Sequence, residues 1–253
     1  LKTMFVTPFM SCSARLPVYL LISGMFFGKF AAPAAFSMYL IGLVMAILVA
    51  LIVSKLTKKY DTHTLLIELP EYKTPNPHTI FIYVWEKVKD YLTKAGTTIF
   101  LASIVLWFLL NLGPHGLASG DMSDSFAAIA ARFLVPVMKP TGLGYWQIIV
   151  ALISGVAAKE VVVSSMSVLF GVANAASAEG MAALSGVLGG MGFTWANAYA
   201  MMIFVLLYVP CVATIGAIRR ESGSWKFTLG TVCMQLGTAW VLSAVVYNLL
   251  RLI

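Results

Sequence analysis

Long stretches without a charged residue alternate with short charged stretches along this chain. Because a helix needs about 20 apolar residues to cross a membrane, each long stretch predicts a span. The uncharged runs are 16–28, 30–54, 95–120, 140–158, 161–178, 180–218 and 227–250. The third run is apolar only to about Leu112, and the sixth has the character of a span only over 196–218. We therefore expect five or six spans, together with broken or re-entrant helices.

The composition agrees with a membrane protein. Hydrophobic residues make up 60% of the 253 residues and charged residues only 11%, whereas soluble domains carry about 25% charged residues. The mean hydropathy is +0.90. These values exclude an ordinary soluble enzyme, a disordered chain and a nucleic-acid-binding module. The net charge of +7 comes from a few short loops, as the positive-inside rule describes for membrane proteins.

The stretch 55–94 has a different character, with seven of the seventeen basic residues and five of the ten acidic ones. After a proline-containing loop, four apolar residues recur at four-residue spacing, Ile80, Val84, Val88 and Leu92. This pattern predicts an amphipathic helix at the membrane surface that runs into the span at 95–112; the alternative is a solvated linker helix.

The basic residues place 55–94 in the cytoplasm, together with a second basic loop that carries Arg219, Arg220 and Lys226. Both loops can lie on one side only if an even number of full crossings separates them. This favours a broken or re-entrant element between residues 140 and 195.

The first polar interruption is the sequence TPFMSCSARLP. It combines two prolines with a thiol, hydroxyls and a guanidinium, on Pro8, Pro17, Ser11, Cys12, Ser13 and Arg15. Proline within a helix cannot donate to the carbonyl four residues earlier, so Pro17 would free the Ser13 carbonyl beside Cys12. Irregular backbone at membrane depth is tolerated where it lines a cavity or is covered by protein. The alternative is an ordinary helix end, in which Cys12 packs as a small apolar residue.

The second interruption is YVPCVATIGAIRRE. In a helix, Pro210 would free the Leu206 carbonyl, with Cys211 next to it and Thr214 on the same face. The alternative is an ordinary proline kink with a packing cysteine. Two proline-broken segments in one chain are the best sequence indication of a transporter's midplane site.

The third interruption lies in WQIIVALISGVAAKEVVVSSMSVLFG. Glu160 begins a predicted stripe of polar and small residues along one helix face, continued by Ser164, Ser167 and Gly171. A carboxylate facing lipid is costly, so we expect Glu160 to face protein or a water-filled cavity. The alternative is that Lys159 and Glu160 form an interfacial charge pair at the end of a span.

Other candidate motifs carry less information. The glycine-rich GVLGGMG at 186–192 is not a phosphate loop, and the chain contains no GxxxxGK[ST] motif. The three histidines, His63, His78 and His115, are expected in loops, which argues against a metalloprotease or a Ser-His triad. Cys233, near Gln235 and Thr238, is expected to be a packing residue.

The remaining polar groups suit a metal ion. Thiols, hydroxyls, carbonyls and one carboxylate are ligands for a divalent cation of intermediate softness, and thiols favour iron or zinc over magnesium or calcium. The candidate metal-contacting residues are Cys12, Cys211, Ser11, Ser13, Thr214 and Glu160. The pattern thus indicates a transporter, with a soft divalent cation as a candidate cargo.

Several long motifs then resemble one family. VTPFMSCSARLPVYLLISGMFF, LLIELPEY, WEKVKDYLTKAGTTIFLASIVLWFL, GLGYWQIIVALISGVAAKEVVVSSMSVLFG and LLYVPCVATIGAIRRESGSWK resemble, in this order, the ferrous iron transport protein B (FeoB) family. The resemblance implies an all-α, polytopic transmembrane bundle in a bacterial inner or plasma membrane. It implies that 1–30 end a first Gate region and that 96–253 form a second. Residues 31–95 would hold a transmembrane helix, a cytoplasmic loop and the amphipathic helix.

The resemblance also assigns residues and partners. It matches the family's gate cysteines to Cys12 and Cys211, and its AAKE motif to 157–160 without a role. It implies an Fe²⁺ permease that is not an enzyme and binds no cofactor here, with GTP bound only by an N-terminal GTPase domain absent from this chain. Expected partners are the bilayer, that domain, small cytoplasmic accessory proteins and further copies of the chain, but no nucleic acid. Two alternatives are a membrane scaffold or nucleoside-transporter-like Gate protein, and, less well supported, a membrane enzyme with a cysteine nucleophile.

Overall fold

The computed structural model describes residues 2–56, 76–114, 116–117, 125–172, 175 and 177–252. This part of the chain is almost entirely helical, which confirms the all-α prediction. The helices are α1 (Lys2–Val6), α2 (Leu16–Phe27), α3 (Ala31–Leu56), α4 (Pro77–Asn111), α5 (Phe126–Met138), α6 (Trp146–Ser154), α7 (Val161–Leu169), α8 (Ala178–Gly190), α9 (Trp195–Leu207), α10 (Val212–Ser222) and α11 (Trp225–Leu252). Two-residue strands, β1 (Leu112–Gly113) and β2 (Gly116–Leu117), pair antiparallel after α4.

Several helices begin where a polar side chain satisfies a free backbone N–H group. Asn76 accepts from the His78 N–H, and Ser125 and Ser177 accept from N–H groups three residues ahead. Thr194 begins α9 with a capping box, in which Asn197 accepts from the Thr194 N–H. These contacts replace hydrogen bonds that the first turn of a helix cannot make.

Helix α9 is the centre of the bundle. Eleven of its thirteen residues are buried, as expected for a helix that is apolar on all sides. It packs against α11, α2 and α3. A buried hydrogen bond from the Ser243 hydroxyl to the Ala200 carbonyl joins α11 to α9 at 2.9 Å.

Three described segments are long and apolar enough to cross a membrane, Met4–Lys55, Trp195–Ser222 and Trp225–Leu252. The pair Phe126–Thr141 and Trp146–Ser154, bent by 101°, would be a fourth. Among the described residues this gives three or four spans, where the uncharged runs predicted five or six along the whole chain; the run at 95–120 lies partly outside those residues. The runs at 16–28 and 30–54 belong to one segment, and those at 140–158 and 161–178 contain only α6 and α7, of nine residues each. The expected broken element between 140 and 195 is confirmed.

The bend between α5 and α6 forms at the turn Lys139–Thr141 and at Gly142, whose φ of 75° is left-handed. The Asn197 side chain of α9 donates to the Gly142 carbonyl at 2.7 Å and so holds the turn against the core. On the two arms of the bend, the Arg132 guanidinium lies 5.7 Å from the centre of the Trp146 ring.

Helix α4 is continuous over 35 residues, a length of about 52 Å at 1.5 Å per residue. It therefore joins the predicted amphipathic helix to the run that begins at 95, as expected. The apolar residues Ile80 and Leu92 are 49% and 64% exposed, and the membrane-surface location of this face stays a prediction. His78 lies in the first turn of α4 rather than in a loop; His63 and His115 lie outside the described residues.

Candidate functional site

Three breaks between helices meet at one cavity of about 400 Å³. The breaks are residues 7–15 between α1 and α2, 155–160 between α6 and α7, and 208–211 between α9 and α10. Each contributes several lining residues, although they are far apart in the sequence. The cavity thus lies where three segments outside the regular helices meet.

The first break consists of two 3₁₀ turns, Thr7–Phe9 and Ser13–Arg15, joined by an irregular segment. Arg15 is only 3% exposed. Its Nη1 donates to the Met10 carbonyl and its Nη2 to the Pro8 carbonyl, each at 3.1 Å. A buried guanidinium thus satisfies carbonyls that a helix would have paired internally.

The effect predicted for Pro17 is wrong. Pro17 is the second residue of α2, where a helix needs no proline N–H. The Ser13 carbonyl is not free, because it accepts from the Leu16 N–H. The first break is nevertheless present. It lies before α2, a few residues earlier in the chain than a break caused by Pro17 would lie.

The second break separates α6 from α7, and three residues of the predicted polar stripe, Glu160, Ser164 and Ser167, lie at the start of α7 or within it. Glu160 is the N-cap residue of α7 and is exposed at the cavity. Ser164 is exposed, Ser167 donates to the Val163 carbonyl, and Gly171 lies beyond the end of α7. Of the four stripe residues, only Glu160 lines the cavity.

Lys159 lies beside Glu160 but is almost fully buried, with 3% exposure. Its Nζ donates to the Val209 carbonyl of the third break at 2.6 Å and lies 3.1 Å from the centre of the Tyr208 ring. An ammonium is attracted both by a carbonyl and by the face of an aromatic ring. Lys159 and Glu160 therefore point to different environments and do not act as a simple interfacial charge pair.

The third break is extended backbone from Tyr208 to Cys211, and Cys211 is the N-cap residue of α10. The Cys211 Sγ lies 3.2 Å from the Thr214 Oγ1, as the three-residue spacing predicted. The chain leaves the helix before Pro210, so the segment is a full break and not a kink. The Val212 N–H donates to the Val156 carbonyl at 2.9 Å and joins the second and third breaks.

The structure brings Cys12, Cys211, Thr214 and Glu160 together around the cavity. Ser11 and Ser13 are not among its lining residues. Cys233 is exposed on α11 rather than packed in the core. In the described ranges, no three His, Cys, Asp or Glu side chains lie close enough together to hold a metal ion.

The cavity has an electropositive wall. Arg15 and Lys159 line it, and so do the N-cap residues of α2, α7 and α10, where helix dipoles add partial positive charge. Glu160 is the acidic residue among those lining it. The sequence pattern predicted no site role for Arg15 or Lys159, although a charged residue in an otherwise apolar segment is a signal of a functional site.

Comparisons with known proteins identify the family. Residues 35–87 match the family model for the ferrous iron transport protein B C terminus, and 92–225 match the Gate model, described as nucleoside recognition. The chain is 42% identical over 248 residues to the Fe(2+) transporter FeoB of Staphylococcus aureus strain COL, covering 98% of this chain. The chain belongs to the FeoB family.

More distant FeoB relatives match along nearly the whole chain. The Fe(2+) transporter FeoB of Methanocaldococcus jannaschii is 36% identical, covering 96% of this chain and 36% of the relative. A fusion of Fe(2+) transport protein A with Fe(2+) transporter FeoB in Porphyromonas gingivalis is 34% identical, covering 98% and 34%. No solved structure matches the chain.

The chain spans 36% of the length of the Staphylococcus aureus FeoB. Together with the apolar helices, this match makes it part of the membrane portion of a multi-pass FeoB protein, in bacteria a protein of the inner membrane. The domain boundaries at 30 and 95 stay a prediction.

Proposed function

We propose that this segment is the membrane permease of a ferrous iron importer and that the cavity between the three breaks lies on the ion path. The observation that supports this is that Cys12 and Cys211, about 200 residues apart in sequence, line one cavity. Thiols are ligands that favour Fe²⁺ over Mg²⁺ and Ca²⁺. The relatives' names, Fe(2+) transporter, point to the same cargo.

The proposed ligands are Cys12, Cys211, Thr214 and Glu160. This set contains only two thiols, so it would hold an ion less tightly than a closed four-thiolate cage, and water would complete the coordination. Such a sparse site suits a permeating ion, which must be able to leave as well as bind. Ser11 and Ser13 would then shape the first break rather than contact the ion.

The energy source and the partners belong to the same proposal. We place GTP hydrolysis in a domain outside this chain, because the family resemblance assigns it to an N-terminal domain and the relatives are longer. The Porphyromonas gingivalis relative is fused to a transport protein A, so a small accessory protein of that kind is a candidate partner. Association with further copies of the chain is also proposed.

The test is Fe²⁺ uptake into proteoliposomes by a full-length FeoB protein that carries this segment. Cys12→Ser and Cys211→Ser should each lower uptake roughly tenfold, which corresponds to about 1.4 kcal/mol of lost ion stabilisation. Cys233→Ser is the matched control, because its thiol is exposed on α11 and does not line the cavity. Its uptake should equal that of the parent.

Normal uptake and unchanged selectivity in both cavity variants would remove the thiols from the ion path. The description of the Gate model as nucleoside recognition supports a second candidate, a nucleoside ligand. Uptake of a radiolabelled nucleoside by the same liposomes, without Fe²⁺ uptake, would favour that candidate.

A further inference from the structure

The ammonium of Lys159 occupies a position that also suits a metal cation. The Lys159 side chain extends from the second break to the third, where the Val209 carbonyl accepts a hydrogen bond from its Nζ at 2.6 Å. The Tyr208 ring covers it at 3.1 Å from the ring centre. A carbonyl oxygen and an aromatic face attract cations in general and do not distinguish an ammonium from a metal ion by charge alone.

Two of the proposed iron ligands, Cys211 and Thr214, line the same cavity as Lys159. Cys211 follows the Val209 carbonyl by two residues and shares the cavity wall with Lys159. Thr214 is 3.2 Å from the Cys211 thiol. An ion bound by the thiol and the hydroxyl would therefore lie close to a carbonyl that Lys159 already uses.

The charges around the cavity show which cation this conformation favours. Arg15, Lys159 and three helix N-termini line the wall, and Glu160 is exposed. Two like charges a few ångströms apart in a protein repel each other strongly, and a divalent ion doubles this repulsion. With the ammonium in place, the cavity is unfavourable for a metal cation.

We propose that Lys159 is a tethered cation that competes with the transported divalent ion for the cation position at the Val209 carbonyl. The identity of the ion rests on the proposed function, whereas the competition rests on the geometry of Lys159. When the ammonium withdraws, the carbonyl becomes available beside the Cys211 thiol and one positive charge leaves the site. When it returns, it fills the same position and the ion is displaced.

A purely structural role for Lys159 makes a different prediction. In that role the side chain only holds the second and third breaks together, a connection that the Val212 N–H to Val156 carbonyl bond also makes. Removing the ammonium would then loosen the site and weaken metal binding. Competition requires the opposite sign, because removing the ammonium would strengthen metal binding.

The experiment measures Co²⁺ binding by a full-length FeoB protein that carries this segment, solubilised in detergent. The thiolate-to-cobalt absorption reports metal bound at cysteine, so a nucleotide site elsewhere does not contribute. Lys159→Met keeps the length of the side chain without its charge and should bind Co²⁺ roughly tenfold more tightly or better. Lys159→Arg keeps the charge and should bind no more tightly than the parent. In Lys159→Met combined with Cys211→Ser, the gain should disappear.

A second pair of variants covers the case in which Lys159→Met does not fold. Tyr208→Leu removes the ring that holds the ammonium and should also tighten Co²⁺ binding, whereas Tyr208→Phe keeps the ring and should match the parent. Unchanged or weaker Co²⁺ binding in a folded Lys159→Met or Tyr208→Leu protein would overturn the proposal. Fe²⁺ uptake is measured separately and tests the proposed function. If Lys159→Met binds Co²⁺ more tightly but the parent protein takes up no Fe²⁺, the competition would be supported and the proposed function would be rejected.

Discussion

Gly155 lies directly against the hydroxyl of Tyr208, and an added Cβ would overlap both this oxygen and the Val162 side chain. Gly155 begins the second break, and Tyr208 begins the third. The absence of a side chain at residue 155 is therefore what lets the two breaks approach each other. This contact places the Lys159 ammonium within reach of the Val209 carbonyl.

We predict that Gly155→Ala lowers the free energy of unfolding by about 1–3 kcal/mol, the usual cost of overpacking. Denaturant titration in mixed micelles measures the change. Gly186→Ala is the matched control, because it lies within α8 and an added Cβ meets no atom within 4 Å. It should raise stability by about 0.5–1 kcal/mol, the helix preference of alanine over glycine. Equal effects at both glycines would contradict the close contact.

Asn197 should be needed for the turn between α5 and α6. Its buried side chain donates to the Gly142 carbonyl and accepts from the Thr194 backbone and hydroxyl. Asn197→Ala leaves these groups unpaired and should cost about 1–3 kcal/mol in unfolding free energy. Asn248→Ala removes an exposed amide that donates to the Pro140 carbonyl and should cost less, as measured by the same titration.

Arg15 should be essential for the first break. In Arg15→Met, the Pro8 and Met10 carbonyls lose a charged donor, and we expect a loss of about 2–3 kcal/mol in unfolding free energy. Arg15→Lys should restore little, since one ammonium cannot reproduce the two-pronged contact. Arg251→Met, at an exposed residue in the last turn of α11, should change stability by no more than about 0.5 kcal/mol. Full stability in Arg15→Met would show that other groups satisfy these carbonyls.

Gln235 should contribute nothing to the stability of this conformation. It is fully buried in α11, and neither atom of its amide group has a hydrogen-bond partner among the described residues. Replacing an unpaired buried polar group with an apolar group of similar size is neutral or stabilising. Gln235→Leu should therefore keep or raise the thermal unfolding midpoint, and a clear decrease would reveal a polar partner.

The sequence predicted where the first and third breaks lie because proline marks them. Pro8 and Pro210 each lie in a segment that leaves the helix. The extent of the breaks was not predictable, since Pro17 and the Ser13 carbonyl are both accommodated by an ordinary helix start. Local rules for proline state which hydrogen bond is lost but not which group replaces it.

The second break has no proline, and the sequence predicted only that a broken element lies somewhere between residues 140 and 195. The break depends on the contact of Gly155 with Tyr208 and on the bond from Lys159 to Val209, residues about 50 positions away. Contacts of this range are not readable from local spacing. The same limit explains why Lys159 had no predicted role, whereas the proximity of Cys211 and Thr214 followed from helical spacing alone.

The bend between α5 and α6 gives this membrane segment an optical reporter of its own conformation. The Trp146 indole lies at the start of one arm, and the Arg132 guanidinium that lies over it belongs to the other. Opening or closing the bend from 101° changes the distance between this charge and the indole, and so its fluorescence. Movement of the turn held by Asn197 would therefore change the emission of Trp146, one of the six tryptophans of the chain, without an introduced dye.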